Sequence, residues 1–245
     1  MPERPATIPT RQRRRRRDRK PDRGASRRKA HRIAVSLSSA YGSPRHGNKD
    51  DPFEELVFIV LSQVTTHHSY GRVFDRLRGA VASWDELLVM PLRRLKALIK
   101  DAGLSGQKAP RLKAIARRLT ADFGQVTLDP LQEMSDEDAE SYLTSLPGVG
   151  VKSAKCVLMY AFGRELLPVD THVWRVARRL GLLPDDLPYG RVHNALEEAV
   201  APADRYAIHV NAIAHGRRLC LPQHPRCQPC FLRRACQFYR GHIPT

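Results

Sequence analysis

Leu146-Pro147-Gly148-Val149-Gly150-Val151-Lys152 is a glycine-rich turn that runs into a lysine, and eighteen positions later Asp170 stands in Pro168-Val169-Asp170-Thr171-His172. Such a turn entering a helix points backbone N–H groups outward, where the helix dipole favours an anion. Phosphate fits that description. Lys152 then brings an amine beside the phosphate, where the sugar of a nucleic acid would lie. The spacing reads as a nucleophile that handles DNA. Taken singly, each residue has a plainer reading: a solvated lysine at a helix start, and an aspartate serving as a helix N-cap.

A second constellation lies near the C-terminus. Cys220, Cys227, Cys230 and Cys236 form C-x6-C-x2-C-x5-C, and the fifth cysteine, Cys156, lies apart from them. Four thiolates at short spacing suit a [4Fe–4S] cluster or a structural zinc, and residue chemistry alone leaves these nearly even, with a tilt towards zinc. Disulfides are the third option in the reducing compartment expected here. His224, Arg226, Arg233 and Arg234 surround the cysteines and offer positive charge to phosphates. Cys156, one helical turn past Lys152, is expected to be a small buried hydrophobe.

The elements that must position these groups read as helices throughout. Phe53, Leu56, Val57, Val60, Leu61 and Val64 keep the i, i+3, i+4, i+7 rhythm behind Pro52. Leu92, Leu95, Leu98 and Ile99 repeat it up to Gly103, and Leu112, Ile115, Ala116, Leu119 and Phe123 repeat it up to Gly124. Ser135 with Asp138 resembles a capping box ahead of Tyr142, Leu143 and Leu146. Further helices are expected over about 151–162, 170–180, 190–200 and 203–216. No alternating strand pattern stands out, so the chain is expected to be all-α, in two helical lobes with a cleft between them.

Charge is uneven. The formal net charge is +17, of which residues 1–32 carry +11, from 14 Lys/Arg against 3 Asp/Glu. Residues 1–30 are nearly devoid of apolar groups and are expected to be a disordered basic tail. No run approaches the roughly 18 apolar residues of a membrane span, and no signal peptide opens the chain. A soluble, intracellular protein of the cytoplasm or nucleoid is expected, without membrane contact and acting as a monomer.

The stretch from Leu146 to Ala154, followed by Val169-Asp170-Thr171-His172-Val173, resembles the helix-hairpin-helix DNA glycosylases, and endonuclease III most of all. The resemblance runs from about residue 50 to residue 240. It implies a six-helix barrel over 51–164, with the hairpin motif at about 136–162, and an iron–sulfur lobe from 31–50 and 165–245. It also decides the cysteine quartet for a [4Fe–4S] cluster, since the spacing after His215-Gly216-Arg217 matches the family's cluster loop. The partner implied is double-stranded DNA carrying a damaged base or an abasic site. Lys152 would attack C1′ of a flipped-out nucleotide, displace the base and form a Schiff base, after which β-elimination expels the 3′ phosphate. Asp170 would stabilise the developing positive charge and help move protons. Gly148, Val149, Gly150, His172 and Arg226 are the expected DNA contacts.

The chain departs from the family where a glutamine-rich pattern usually fills the gap left by the flipped base. Here the segment is Leu61-Ser62-Gln63-Val64-Thr65-Thr66-His67, so Gln63 or Val64 takes the filling position and His67 replaces a common aspartate. Leu104 stands where the family drives a wedge into the duplex, and Ser105 and Gly106 after it are smaller than usual. Removal of oxidised or damaged pyrimidines is the activity expected. The alternatives are a mismatch adenine glycosylase, which needs no Lys152, and a non-catalytic DNA-binding or redox-sensing relative.

One magnitude constrains the mechanism. An ordinary lysine has a pKa near 10.4 and a useful amine one of about 7–8, a gap of roughly 4 kcal/mol. A helix N-terminus supplies only about 0.3–1 kcal/mol, and a nearby carboxylate works in the opposite direction. Desolvation in a closed cleft is therefore expected to lower the Lys152 pKa, with proton transfer to Asp170 after substrate binding as the other route.

Overall fold

The apolar stripes become helices that bury them. In a computed structural model, which describes residues 23–64 and 67–242, the chain forms twelve α-helices linked by turns and short 3-10 segments, with no strand among the described residues. The first helix, α1 (Arg23–Tyr41), corrects the expected tail: residues 23–30 are helical, and residues 1–22 lie outside the described part. Two causes order them. Ala30, Ile33, Ala34 and Leu37 form a buried stripe, and the basic residues ahead of it meet distant acceptors. Arg23 pairs with Glu198 at 3.3 Å, Arg27 donates to the Glu198 carbonyl at 3.4 Å, and Lys29 donates to the Gly181 carbonyl at 3.2 Å. Composition shows the charges of a segment and not the acceptors that the rest of the chain brings to it.

Helix α2 (Pro52–Ser62) opens with Asp51, whose carboxylate accepts the Glu54 N–H at 2.7 Å, a cap worth about 1 kcal/mol. Then come α3 (His67–Gly79), α4 (Glu86–Val89), α5 (Leu92–Leu98), a 3-10 turn at Lys100–Ala102, and α6 (Ser105–Phe123), which ends at left-handed Gly124. The Ser135 hydroxyl accepts the Asp138 N–H at 3.1 Å and donates to its carboxylate at 2.6 Å, closing the capping box of α7 (Asp136–Ser145). The remaining helices are α8 (Val151–Tyr160), α9 (Thr171–Leu180), α10 (Val192–Ala199), α11 (Pro202–Arg218) and α12 (Gln237–His242).

The buried apolar residues fall into two clusters. One gathers α2 to α8 around Phe53, Leu61, Leu77, Leu112 and Leu158; the other gathers α1 and α9 to α11 around Leu37, Val173, Leu196 and Ala212. Two features tie the clusters together. Lys155 of α8, only 3 % exposed, pairs with Glu140 of α7 at 3.0 Å and with Glu197 of α10 at 2.8 Å. The strap between α1 and α2 crosses from one cluster to the other and is pinned at both ends: Asn211 accepts the Ser43 N–H at 3.2 Å, and Glu55 accepts the Lys49 N–H at 2.7 Å.

Candidate active site and cysteine loop

Between the two clusters lies a cavity of about 530 Å³ whose lining includes Val64, Lys152, Cys156, Asp170, His172 and His209. Lys152 is the second residue of α8, and Asp170 is the N-cap of α9, so two helix starts converge on one space. The hairpin that leads to Lys152 depends on Gly148. Its φ is +75°, and a Cβ there would lie 2.7 Å from Arg111 Cδ, so both backbone and packing call for glycine. Gly150 caps α8 without any side-chain cap, which leaves first-turn N–H groups of the helix for an outside acceptor. Val149 differs from its neighbours. Its N–H is spent on the Leu146 carbonyl at 3.2 Å and its side chain is buried, while Gly148 and Gly150 on either side are exposed.

Asp170 does the bland job and also faces the cavity: one carboxylate oxygen accepts the Val173 N–H at 2.7 Å, as an N-cap should. Lys152 corrects the expectation about its protonation. Its ammonium is held above the ordinary lysine range, first by the Cys156 sulfur, whose charge acts only where that thiol is ionised, and then by Asp170, while burial opposes both. Burial also pushes the Cys156 thiol up to about 11, so at neutral pH it is a buried SH group and not a thiolate nucleophile. Desolvation therefore does not win at Lys152 in the free protein. The amine rests protonated, and a base has to take that proton once substrate is bound.

Four nearby groups escaped the sequence reading. Glu55 of α2 is fully buried, accepts hydrogen bonds from Asn48 Nδ2 and the Lys49 N–H, and is pushed up to about 7 by burial, offset in part by those two hydrogen bonds and then by the Lys152 charge. His209 of α11 hydrogen-bonds the Pro168 carbonyl at 2.8 Å, and burial drives its pKa down to about 4, so it lines the cavity as a neutral ring. His46 and Asn48 come from the strap between α1 and α2. The i, i+4 spacing of Lys152 and Cys156 was visible beforehand; the approach of Glu55 and His209 depends on helix packing.

His172 lines the cavity, and its Nδ1 lies 3.1 Å from an Arg175 guanidinium nitrogen; burial lowers its pKa. Gly216 of α11 permits this contact, since a Cβ there would meet His172 and Arg175 at 3.0 Å. Gln63 extends towards the hairpin, its Nε2 donating to the Gly148 carbonyl at 3.4 Å. Val64 stands exposed in the cavity lining, and Leu104, which is not part of that lining, is also exposed. The His67 side chain and residues 65–66 lie outside the described part.

The four cysteines line a second, apolar cavity between α9, the end of α11 and the loop before α12, together with Val176, Leu180, His215, Leu219 and Pro225. Arg226 stands exposed at its edge. Burial, then the other cysteines of the loop, push the Cys227 thiol up, and Cys230 rises chiefly through burial. Backbone and guanidinium groups brace the sulfurs: Cys236 Sγ donates to the Arg179 carbonyl at 3.3 Å, and Arg179 donates to Cys220 Sγ at 3.3 Å. Among the described residues no three His, Cys, Asp or Glu side chains converge closely enough to hold one ion. Zinc would draw four sulfurs to within about 3.8 Å of one another.

The model of the HhH-GPD superfamily base excision DNA repair proteins matches residues 57–202. Endonuclease III of Thermotoga maritima is 36 % identical over 198 residues, covering 80 % of this chain and 88 % of the relative. That of Bacillus subtilis is 33 % identical over 187 residues, covering 76 % and 81 %. A solved non-covalent endonuclease III–DNA complex superposes with a TM-score of 0.76 at 26 % identity, covering 87 % of this chain and 96 % of its own. A trapped endonuclease III–DNA covalent intermediate gives a TM-score of 0.75 at 26 % identity, covering 88 % and 99 %.

Proposed function

Because the chain belongs to the HhH-GPD superfamily of base excision DNA repair proteins, we propose that Lys152 is the nucleophile of a bifunctional DNA glycosylase and abasic-site lyase that removes damaged pyrimidines from duplex DNA. One observation carries this reading: the Lys152 amine and the Asp170 carboxylate face the same cavity, one helical turn from the uncapped hairpin that can hold the neighbouring phosphate. The steps follow from that placement. Lys152 Nζ loses a proton to Asp170 and attacks C1′, and the C1′–N bond breaks as the base leaves and is protonated. Ring opening gives an iminium at C1′, which acidifies the C2′ proton. Removal of that proton breaks the C3′–O bond and releases the 3′ phosphate, and water then frees Lys152.

The Gly148 and Gly150 amides and the positive charge of Arg226 serve as phosphate contacts in this reading, while His172 borders the pocket that receives the flipped nucleotide. The two apolar clusters correspond to a barrel lobe and a lobe that carries the cysteine loop. Cys220, Cys227, Cys230 and Cys236 would hold a [4Fe–4S] cluster. Four thiols lining one apolar cavity are the observation that supports a bound group there, and their C-x6-C-x2-C-x5-C spacing supports the cluster. When bound, the cluster supplies cross-linking of the loop rather than chemistry at C1′. Iron and sulfide should each approach four atoms per chain, and stoichiometric zinc without iron would overturn the assignment.

Borohydride reduction on abasic-site DNA tests the nucleophile. A covalent protein–DNA adduct is expected, lost in Lys152→Ala; an adduct that survives in Lys152→Ala would move the nucleophile elsewhere.

A further inference from the structure

Helix α9 begins in the Lys152 cavity and then leaves it. His172 in its first turn lines the cavity, and the ring meets the Arg175 guanidinium at 3.1 Å. Trp174 meets Tyr189, a cavity-lining ring that is 55 % exposed, edge to face with centroids 6.2 Å apart. These two contacts join the cavity to a groove of about 690 Å³ between α9 and α12. Its two aromatic rings each carry a guanidinium: Arg178 lies 5.5 Å from the centroid of Trp174, and Arg179 lies 4.8 Å from that of Phe238. With Arg175 that makes three positive charges among the described lining residues, against the single carboxylate of Asp185. Asp185 pairs with Arg178 at 3.2 Å, but both side chains are exposed, so the pair contributes little and can yield to a phosphate. Arg175 donates to the Gly216 carbonyl at 2.9 Å, a neutral partner that fixes the guanidinium without cancelling its charge. Arg179 also serves the Cys220 sulfur, which leaves Arg178 as the guanidinium best placed for a ligand.

We propose that this groove is a subsite for unpaired DNA, which receives the strand that continues from the nucleotide held at Lys152. The inference rests on the base-excision reading above and adds a substrate class to it: an abasic or damaged site in a single-stranded stretch. Rings interleaved with arginines are what such a strand requires. Its bases have open faces that stack on aromatic side chains, and its phosphates follow the positive charge. Stacking of this kind accepts any sequence, because every base has such a face. A duplex brings phosphates to the groove but no open base faces, since its bases are stacked on one another. Continuity with the cavity sets the path, from Lys152 over the Tyr189 ring and onto Trp174.

Two measurements on the full-length, cofactor-loaded protein test this. The chain has two tryptophans, and Trp84 is buried against Phe53 and Phe74, so emission quenched by a stacked base reports Trp174. Titration with a lesion-free single-stranded oligothymidylate should quench that emission, and a duplex of the same length should not. The quenching should disappear in Trp174→Leu. Borohydride trapping at sub-saturating protein then compares one abasic sequence as a single strand and as a duplex. Trp174→Leu should lower single-strand trapping about fivefold or more, the loss of one stacked base, and leave duplex trapping within about twofold of wild type. Arg178→Ala removes an exposed side chain and spares the fold, and should flatten the salt slope of single-strand binding by about 0.7, one phosphate contact. Equal quenching by duplex, or equal losses on both substrates, would make the groove a duplex contact and overturn the inference. Wild-type single-strand binding in both variants would overturn it as well. Trapping on duplex without quenching by the single strand would bring down this inference alone and leave the Lys152 mechanism standing. Loss of trapping on both substrates in the wild-type protein would instead bring down that mechanism and this inference together.

Discussion

The lysine cavity and the cysteine loop both gather reactive side chains from distant parts of the sequence, but they are held by different means. Lys152 and Asp170 sit at the starts of regular helices, and their surroundings are complete: caps, a Cys156 contact, a buried Glu55 and a neutral His209. The four cysteines stand on turns between α11 and α12, where tight local hydrogen bonds such as Cys230 N–H to the Cys227 carbonyl at 3.1 Å give shape without a core of their own. A site built on helix ends is organised before its substrate arrives. A loop of thiols raised by burial and mutual repulsion becomes stable when something positive binds among them.

The largest effects should separate chemistry from folding in the cavity. Lys152→Ala is expected to lower turnover on the order of 10⁴-fold or more with a nearly unchanged melting temperature, because no cap or core contact depends on the amine. Asp170 holds two jobs and allows them to be split. Asp170→Asn keeps a good N-cap but removes the charge, so excision should fall about 10²- to 10⁴-fold at near-constant stability. Asp170→Ala should cost a similar factor and about 1 kcal/mol of stability as well, read in urea melts. Equal stability losses for the two would mean that the cap in α9 contributes nothing.

The cysteine loop should show the opposite pattern. Treatment with a chelator, or replacing Cys236 with serine, is expected to open residues 219–236 to proteolysis and to weaken DNA binding in low salt. Adduct formation at saturating DNA should persist, because α8 keeps its core contacts and α9 keeps its Asp170 cap. If trapping and loop protection vanish together, the two regions are one cooperative unit and the contrast drawn between them fails.

This contrast also explains how legible each part was. The helices over α2, α5, α6 and α7 followed from apolar periodicity, proline and glycine stops, and the Ser135 box, which are local signals. Lys152, Asp170 and the cysteine quartet carried their own spacing. What sequence could not give was the environment. The protonation of Lys152 depends on Cys156 one turn away, which was visible, and on Asp170 and Glu55, whose approach is set by packing between α2, α8 and α9. Residues 23–30 looked like tail because Glu198 and Gly181, which receive their hydrogen bonds, come from the far end of the chain.

Glu55 gives a stability test of that environment. A carboxyl whose pKa rises from 4.5 to about 7 on folding is disfavoured in its charged form inside the protein. The folded state therefore loses stability as pH rises from about 4.5 to 7, by about 3 kcal/mol in all, and no further above 7. Glu55→Gln removes the titration while preserving an acceptor for the Lys49 N–H. Its melts at pH 5 and pH 8 should differ by less than those of the wild-type protein, and an identical pH dependence would show that folding leaves the Glu55 pKa where it stands in the unfolded chain.

The smallest effect concerns the resting charge of Lys152 itself. Because Cys156 and Asp170 hold its pKa above the ordinary lysine value, the free amine is a minor species throughout the neutral range. Its fraction grows about tenfold for each pH unit below that pKa. With Asp170→Asn, which removes the base that would take the proton, residual adduct formation should follow that slope and climb steadily from pH 6 to 9. In the wild-type protein the bound substrate and Asp170 complete the transfer, so the profile should be flatter. A variant whose rate levels off near pH 7.5 would show that burial, rather than the neighbouring groups, sets the lysine's charge, and the cavity would then be drier than its lining of Asp170 and Cys156 implies.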